Sequence, residues 1–125
     1  MLFRSPLVGA FESELEKVTG APTVVVNSGT AALHCAYKAI GIGPGDEVIT
    51  PPNTFAATQA TAINLGAKIV FADIDLETGL VLPEEIERRI SEHTKAIVAV
   101  DYAGQPADID RIREVVGHQI GRVHV

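Results

Sequence analysis

The sequence predicts a three-layer α/β/α domain built on a mostly parallel sheet. Short apolar segments alternate along the chain with segments of helical periodicity, a succession that is typical of βαβ units. The apolar segments 69–71 and 96–100 contain no polar residue, as expected of strands that helices cover on both faces. With 125 residues, 46% of them hydrophobic, the chain can form one core, so we predict a single domain over residues 1–125.

The helices are predicted where apolar residues recur three or four positions apart. In chain order they are 11–18, 30–40, 54–65, 83–90 and 107–116. The strands are predicted where β-branched and other apolar residues run together between turn residues. They are 23–26, 47–50, 68–72, 95–100 and the start of a strand at 122–125.

Glycine and proline set several of these boundaries. Gly41 and Gly66 follow the second and third apolar helical patterns, where glycine favours the end of a helix. Pro83 suits the first turn of the fourth helix, because a proline there gives up no intrahelical hydrogen bond. Ile90 completes the apolar face of that helix.

Composition excludes several classes of partner. The formal net charge is −6, the pI is near 5.1 and basic residues are not clustered, so nucleic acid is not expected. No apolar run is long enough for a bilayer span or a secretory signal, so we expect a cytoplasmic protein without membrane contact. The single Cys35 cannot form an internal disulfide, and we interpret it as a small buried hydrophobe.

The segment Ser28-Gly29-Thr30 joins a predicted strand to a predicted helix. The first N–H groups of a helix lack intrahelical partners and carry a partial positive charge, so they bind phosphate without a basic side chain. Gly29 lets the backbone approach a ligand closely, and the hydroxyls of Ser28 and Thr30 could cap the helix or donate to phosphate. The alternative is a plain helix start with no ligand.

Phe55 follows the next strand, 47–50, in a turn that opens another helix. The carboxyl ends of parallel strands lie at one edge of a sheet, so this turn is expected beside Ser28. Phe55 could then stack on an aromatic ring whose phosphate lies at Thr30, which describes a phosphorylated heteroaromatic cofactor. The alternative is that Phe55 is a core residue.

Other motifs are weaker. The glycine-rich segment 41–45 follows a helix and precedes a strand, the reverse of a dinucleotide-binding fingerprint. Asp73 and Asp75 are explained by turn chemistry rather than metal binding, and Asp108 by capping of the helix that follows it. The four histidines have no zinc-ligand spacing, so no metal site is predicted.

The chain resembles the DegT/DnrJ/StrS sugar aminotransferases, which are fold-type I enzymes that use pyridoxal 5′-phosphate (PLP). The resemblance lies in ordered blocks at matching spacing, namely 27–34, 41–49, 54–58, 66–68, 70–75, 94–97 and 101–108. It implies amino transfer from glutamate to a UDP- or dTDP-linked keto-sugar, in a homodimer. It also implies that Gly29, Thr30 and Ala31 hold the cofactor phosphate and that Phe55 stacks on the pyridine ring.

Two functions of the family have no residue in this chain. The resemblance places the carboxylate that pairs with the pyridine nitrogen just beyond Val125, and the lysine that binds the cofactor covalently later still. Lys68 and Lys95 are expected at the opposite edge of the sheet, Lys38 points away along its helix, and Lys17 is interpreted as solvent-facing. We therefore expect an amino-terminal portion of the PLP-binding large domain that is inactive alone, with no catalytic residue of its own.

Two other hypotheses remain. The chain could be a binding module that uses Ser28 to Thr30 for a different phosphate ligand. It could also be a non-catalytic interaction protein that pairs with a full-length relative.

Overall fold

The computed structural model describes residues 5–117. Within that range helices and strands alternate along the chain. They are α1 (Pro6–Thr19), α2 (Gly29–Ala39), β1 (Glu47–Thr50), α3 (Ala57–Asn64), β2 (Lys68–Phe71), α4 (Pro83–Glu87), β3 (Thr94–Ile97) and α5 (Ile109–Gly117).

The three strands form one parallel sheet in the order β2-β1-β3. The central strand β1 is buried along its whole length, and its side chains alternate between the two faces of the sheet. Val48 packs with Tyr37, Ile42 and Ala62 on the α2 and α3 side. Its neighbour Ile49 belongs to the opposite core cluster.

That second core cluster lies between the sheet and the helices α4 and α5. Ile49 and Ile97 of the sheet meet Ile86 of α4 and Ile112 of α5, and none of the four is more than 2% exposed. Helices thus cover both faces of a parallel sheet, and the predicted three-layer α/β/α class is confirmed.

The directions of the elements bring two helix N-termini to one edge of the sheet. Residues 40–46 connect the end of α2 to the start of β1, so α2 begins at the edge where β1 ends. The helix α3 begins after β1 at the same edge. Residues 41–45 lie at the opposite edge and include two glycines with left-handed backbone, Gly41 (φ 77°) and Gly45 (φ 91°), which agrees with their predicted role as a connection.

The clearest error of the sequence prediction is the strand over residues 23–26. These residues lack strand pairing, and the backbone N–H groups of Thr23 and Val25 donate instead to carboxylates of α1. A β-branched run predicts an extended backbone, whereas a strand also needs a neighbouring strand, which local sequence does not report.

Smaller differences lie at the ends of elements. The helix α3 begins at Ala57 rather than at residue 54, α4 ends at Glu87 rather than at 90, and β3 ends at Ile97 rather than at 100. The strand predicted over 122–125 lies outside the described residues. Among the described helices, none combines the length and the hydropathy that a bilayer crossing requires.

Candidate functional site

The start of α2 is capped by a side chain and leaves two backbone donors available. Ser28 has an extended backbone (φ −162°, ψ 158°), and its Oγ accepts a hydrogen bond from the N–H of Ala31 at 3.2 Å. Ser28 therefore has the predicted cap role, which uses its oxygen as an acceptor and does not compete with donation from its hydroxyl to a phosphate. Across residues 5–117, no hydrogen bond engages the N–H groups of Gly29 and Thr30.

Gly29, Thr30 and Phe55 line one cleft of about 560 Å³. Phe55 is 78% exposed, so the alternative that it is a core residue is wrong. Sequence reasoning did not identify the other residues that line this cleft, which are Ala32, Leu33, Ala36 and Ala57. The small residues at 32 and 36 are four positions apart and therefore lie on one face of α2. This spacing is the feature of the sequence from which these lining residues could have been predicted.

A buried hydrogen bond fixes the two walls of the cleft relative to each other. The hydroxyl of Tyr37 in α2 donates to the backbone carbonyl of Thr58 in α3 at 2.9 Å. Thr58 is also bonded through its hydroxyl to Thr54, at 3.0 Å, in the turn that carries Phe55. These two bonds therefore join α2 to α3 and to the turn that carries Phe55.

The cleft fits a phosphate with an attached aromatic ring. A Cβ built on Gly29 would meet no atom within 4 Å, so the backbone at the start of α2 is open to a ligand. The free N–H groups and the dipole of α2 favour an anion there, and the exposed ring of Phe55 offers a face for stacking. Ala31 is not among the lining residues, and its N–H already donates to Ser28.

Asp75 and Asp108 have the turn and cap roles that the sequence predicts, whereas the carboxylate of Asp73 pairs with Arg89 at 3.4 Å. Asp75 accepts from the N–H groups of Glu77 and Thr78 and from the Thr78 hydroxyl, and the bonds from Thr78 hold the pKa of the Asp75 carboxyl below its usual range. Asp108 accepts from the N–H of Arg111 at the start of α5. Within residues 5–117, no group of three or more His, Cys, Asp or Glu side chains could hold a metal ion.

Cys35 and the four lysines carry the thiol and the side-chain amino groups of this chain. Cys35 is exposed on α2, so the expectation of a buried cysteine is wrong. None of the four lysines lines the cleft. Lys17 is paired with Glu14 on α1 at 2.6 Å, and Lys68 is paired with Glu47 at the opposite edge of the sheet at 2.8 Å.

Comparison with known proteins assigns the family. The profile of the DegT/DnrJ/EryC1/StrS aminotransferase family matches residues 2–120. The chain belongs to this family. The spore coat polysaccharide biosynthesis protein SpsC of Bacillus subtilis (strain 168) is 50% identical over 115 residues, which are 91% of this chain and 30% of that protein.

Solved structures of other proteins have the same fold in the part that matches this chain. The PLP form of a protein from Streptococcus pneumoniae, described as a sugar aminotransferase, is 35% identical with a TM-score of 0.88, over 96% of this chain and 31% of that one. A GDP-4-keto-6-deoxymannose-3-dehydratase with a trapped PLP–glutamate adduct is 26% identical with a TM-score of 0.85, over 97% of this chain and 33% of that one. The chain thus spans about a third of the length of these relatives.

Proposed function

We propose that this chain is the part of a PLP-dependent sugar aminotransferase that binds the phosphate and stacks on the ring of the cofactor. The observation that carries the proposal is the cleft in which Gly29 and Thr30 lie with Phe55. In this assignment Gly29, Thr30 and Ala31 hold the phosphate, Ala31 sharing its N–H between Ser28 and the ligand. Residues 1–125 form a single, partial domain of the PLP-binding large domain.

The residues on this chain bind and orient the cofactor. When bound in a complete enzyme, PLP supplies an electron sink for amino transfer. The N–H groups of α2 anchor the phosphate at one end of the cleft, and Phe55 restricts the ring to one plane at the other. No lysine reaches this cleft and no carboxylate lines it, so we expect the 125-residue chain to bind without catalysing transfer.

The expected affinity is low. A phosphate at a helix N-terminus is stabilised by about 1–2 kcal/mol and ring stacking adds about 1 kcal/mol, whereas millimolar affinity requires roughly 4 kcal/mol. The cofactor is therefore expected to bind the chain more weakly than millimolar.

The same proposal extends to the substrates, the oligomeric state and the cellular location of the protein. The amino acceptor is a UDP- or dTDP-linked keto-sugar and the donor is glutamate, and the dehydratase relative supports glutamate because a PLP–glutamate adduct is trapped in it. The active form is a homodimer, supported by apolar side chains of α1 that are more than half exposed, Leu7, Phe11 and Val18. The protein acts in the cytoplasm, in keeping with the exposed free thiol of Cys35.

A titration followed by amide and aromatic NMR tests the binding proposal. Pyridoxine 5′-phosphate is the probe because it lacks the aldehyde that attaches to lysines. It should shift the Gly29 and Thr30 amides and the Phe55 ring together. Inorganic phosphate should shift only the amides, and pyridoxine only the ring. Shifts scattered over the surface, or none at these three residues, would refute the proposal.

A chimaera tests the catalytic assignment. Residues 2–120 of this chain would replace the matching residues of the Streptococcus pneumoniae relative. We expect the chimaera to retain bound PLP and to transfer the amino group of glutamate to a UDP- or dTDP-linked keto-sugar. A folded chimaera that loses PLP would contradict the proposal, as would covalent attachment of PLP to one specific lysine of the 125-residue chain, fixed by borohydride and mapped by mass spectrometry.

A further inference from the structure

Two carboxylates of α1 hold the extended segment 23–26 by its backbone. The N–H of Val25 donates to Oε1 of Glu12 at 3.0 Å, and the N–H of Thr23 donates to Oε1 of Glu16 at 3.2 Å. Gly20, with left-handed backbone (φ 69°), ends α1 and lets the chain turn back along the helix. The segment therefore runs antiparallel to α1, with residue 23 opposite 16 and residue 25 opposite 12.

The spacing of helix and segment explains why this arrangement works. Residues four apart on a helix are separated by about 6 Å along the axis. Residues two apart on an extended chain are separated by about 6.6–6.8 Å, and their N–H groups point to the same side. Glu12 and Glu16 thus present acceptors at nearly the interval at which Val25 and Thr23 present donors.

The two carboxylates differ in their surroundings. Glu12 is only 8% exposed, whereas Glu16 is exposed. A hydrogen bond from a backbone N–H to a carboxylate is strengthened by charge, and more so where water is excluded. The Glu12 bond is therefore the stronger restraint, and it acts on Val25, three residues before the cap Ser28.

We propose that Glu12 is a positioning residue for the phosphate-binding turn. By fixing Val25 it fixes the direction in which the chain enters Ser28, and thereby the orientation of the free N–H groups of Gly29 and Thr30. This inference rests on the proposed function in one respect only, namely that the turn is there to bind phosphate. Glu12 acts through the backbone and does not touch the ligand.

Amide hydrogen exchange and a titration with inorganic phosphate, both on the 125-residue chain, test the inference. In Glu12→Ala we expect exchange at Val25 to accelerate by about tenfold, the equivalent of one lost charged hydrogen bond. The phosphate-induced shifts at Gly29 and Thr30 should fall in parallel. Glu12→Gln keeps an oxygen acceptor and should restore both.

The matched control is Glu14→Ala, which removes an exposed carboxylate of the same helix that pairs with Lys17 on the helix surface. It should change neither readout. If Glu12→Ala does not fold, Glu16→Ala carries the test, with faster exchange at Thr23 and a smaller loss of the phosphate response.

Faster exchange at Val25 with an undiminished phosphate response would overturn the inference. Failure of the proposed function looks different, because the unsubstituted chain would then show no phosphate response at Gly29 and Thr30. In that case the exchange rate of the Ala31 N–H, which is bonded to Ser28, tests the inference. If Glu12 positions the turn, this N–H should exchange faster in Glu12→Ala and not in Glu12→Gln. If Glu12 does not position the turn, the N–H should exchange at the same rate in both variants.

Discussion

The hydroxyl of Tyr37 donates to the carbonyl oxygen of Thr58 at 2.9 Å, and this buried bond joins α2 to α3 beside the cleft. Tyr37 is 3% exposed, and burial raises the pKa of its hydroxyl, so the hydroxyl remains a donor into alkaline solution. The bond links the helix that begins with Gly29 to the helix that begins after Phe55. Its removal should affect stability and the cleft together.

Tyr37→Phe removes this hydroxyl and leaves the ring in place. We expect the free energy of unfolding to fall by about 1–2 kcal/mol, because a buried carbonyl loses a partner. Urea denaturation measures the loss. Tyr102→Phe, at a residue that is 43% exposed, is the control and should change stability by less than about 0.5 kcal/mol. Equal losses in the two variants would show that the buried bond contributes nothing.

The Gly29→Ala variant tests the ligand site without disturbing the fold. A Cβ at residue 29 meets no atom within 4 Å, so the variant should fold with stability unchanged or raised by a few tenths of a kcal/mol. The methyl group would occupy the space assigned to phosphate, so the phosphate-induced shifts at Thr30 should weaken. Gly9→Ala in α1, whose Cβ is equally unobstructed, is the matched control. If Gly29→Ala binds phosphate as strongly as the unsubstituted chain does, the anion binds at another site.

Phe55→Ala tests the stacking role. Because this side chain is 78% exposed, its loss should change the free energy of unfolding by less than about 0.5 kcal/mol. The affinity for pyridoxine 5′-phosphate should fall by about two- to tenfold, the equivalent of a ring stack, while the response to inorganic phosphate stays the same. Leu76→Ala, at a residue 96% exposed and away from the cleft, is the control. A parallel loss of the inorganic phosphate response would mean that Phe55 supports the turn instead.

Glu47 should contribute to stability in a way that depends on pH. Its two carboxylate oxygens accept hydrogen bonds from Lys68 at 2.8 Å and from Ser91 at 2.6 Å, and these bonds hold its pKa below the ordinary value of 4.5. A carboxyl with a lowered pKa stabilises the fold above its unfolded-state pKa, and loses that contribution as the pH falls through the folded-state pKa.

The comparison with Glu47→Gln isolates that contribution. The difference in free energy of unfolding between the two proteins should be largest near neutral pH and should shrink as the pH falls below about 4.5. Urea denaturation across the acid range measures it. Glu77→Gln, at an exposed residue that forms no ion pair among the described residues, provides the comparison for a carboxylate in water. A difference that grows towards acid pH would contradict the sign of the shift.

Elements with strong local signals were predictable. The strand β1 has the predicted bounds because a buried apolar run between turn residues has one local interpretation. The capping of α5 by Asp108 was also predictable, since a cap depends on residues within one turn. For Ser28 the sequence left two roles open, because a hydroxyl at a helix start can serve the backbone or a ligand.

Features that depend on distant neighbours were not predictable. Cys35 lies in an apolar helical pattern, but its exposure depends on which face of α2 meets the sheet. The run 23–26 has strand propensity, yet the N–H groups of Thr23 and Val25 donate to carboxylates seven and thirteen residues earlier in the chain, on a helix rather than on a strand. A hydrophobic period reports the backbone type of a segment and not its partner.

Apart from the strand at 23–26, the sequence by itself determined the alternation of helices and strands in the described residues, the parallel sheet and the presence of an aromatic residue after the strand that follows the Ser-Gly-Thr turn. These follow from periodicity and propensity within a few residues. Only the tertiary structure decided that Gly29, Thr30 and Phe55 share one cleft, that Tyr37 sets the separation of its walls and that Glu12 holds the segment entering it. Such distances arise when separate elements pack against one sheet, and contacts between residues far apart in the chain leave no periodic trace in it.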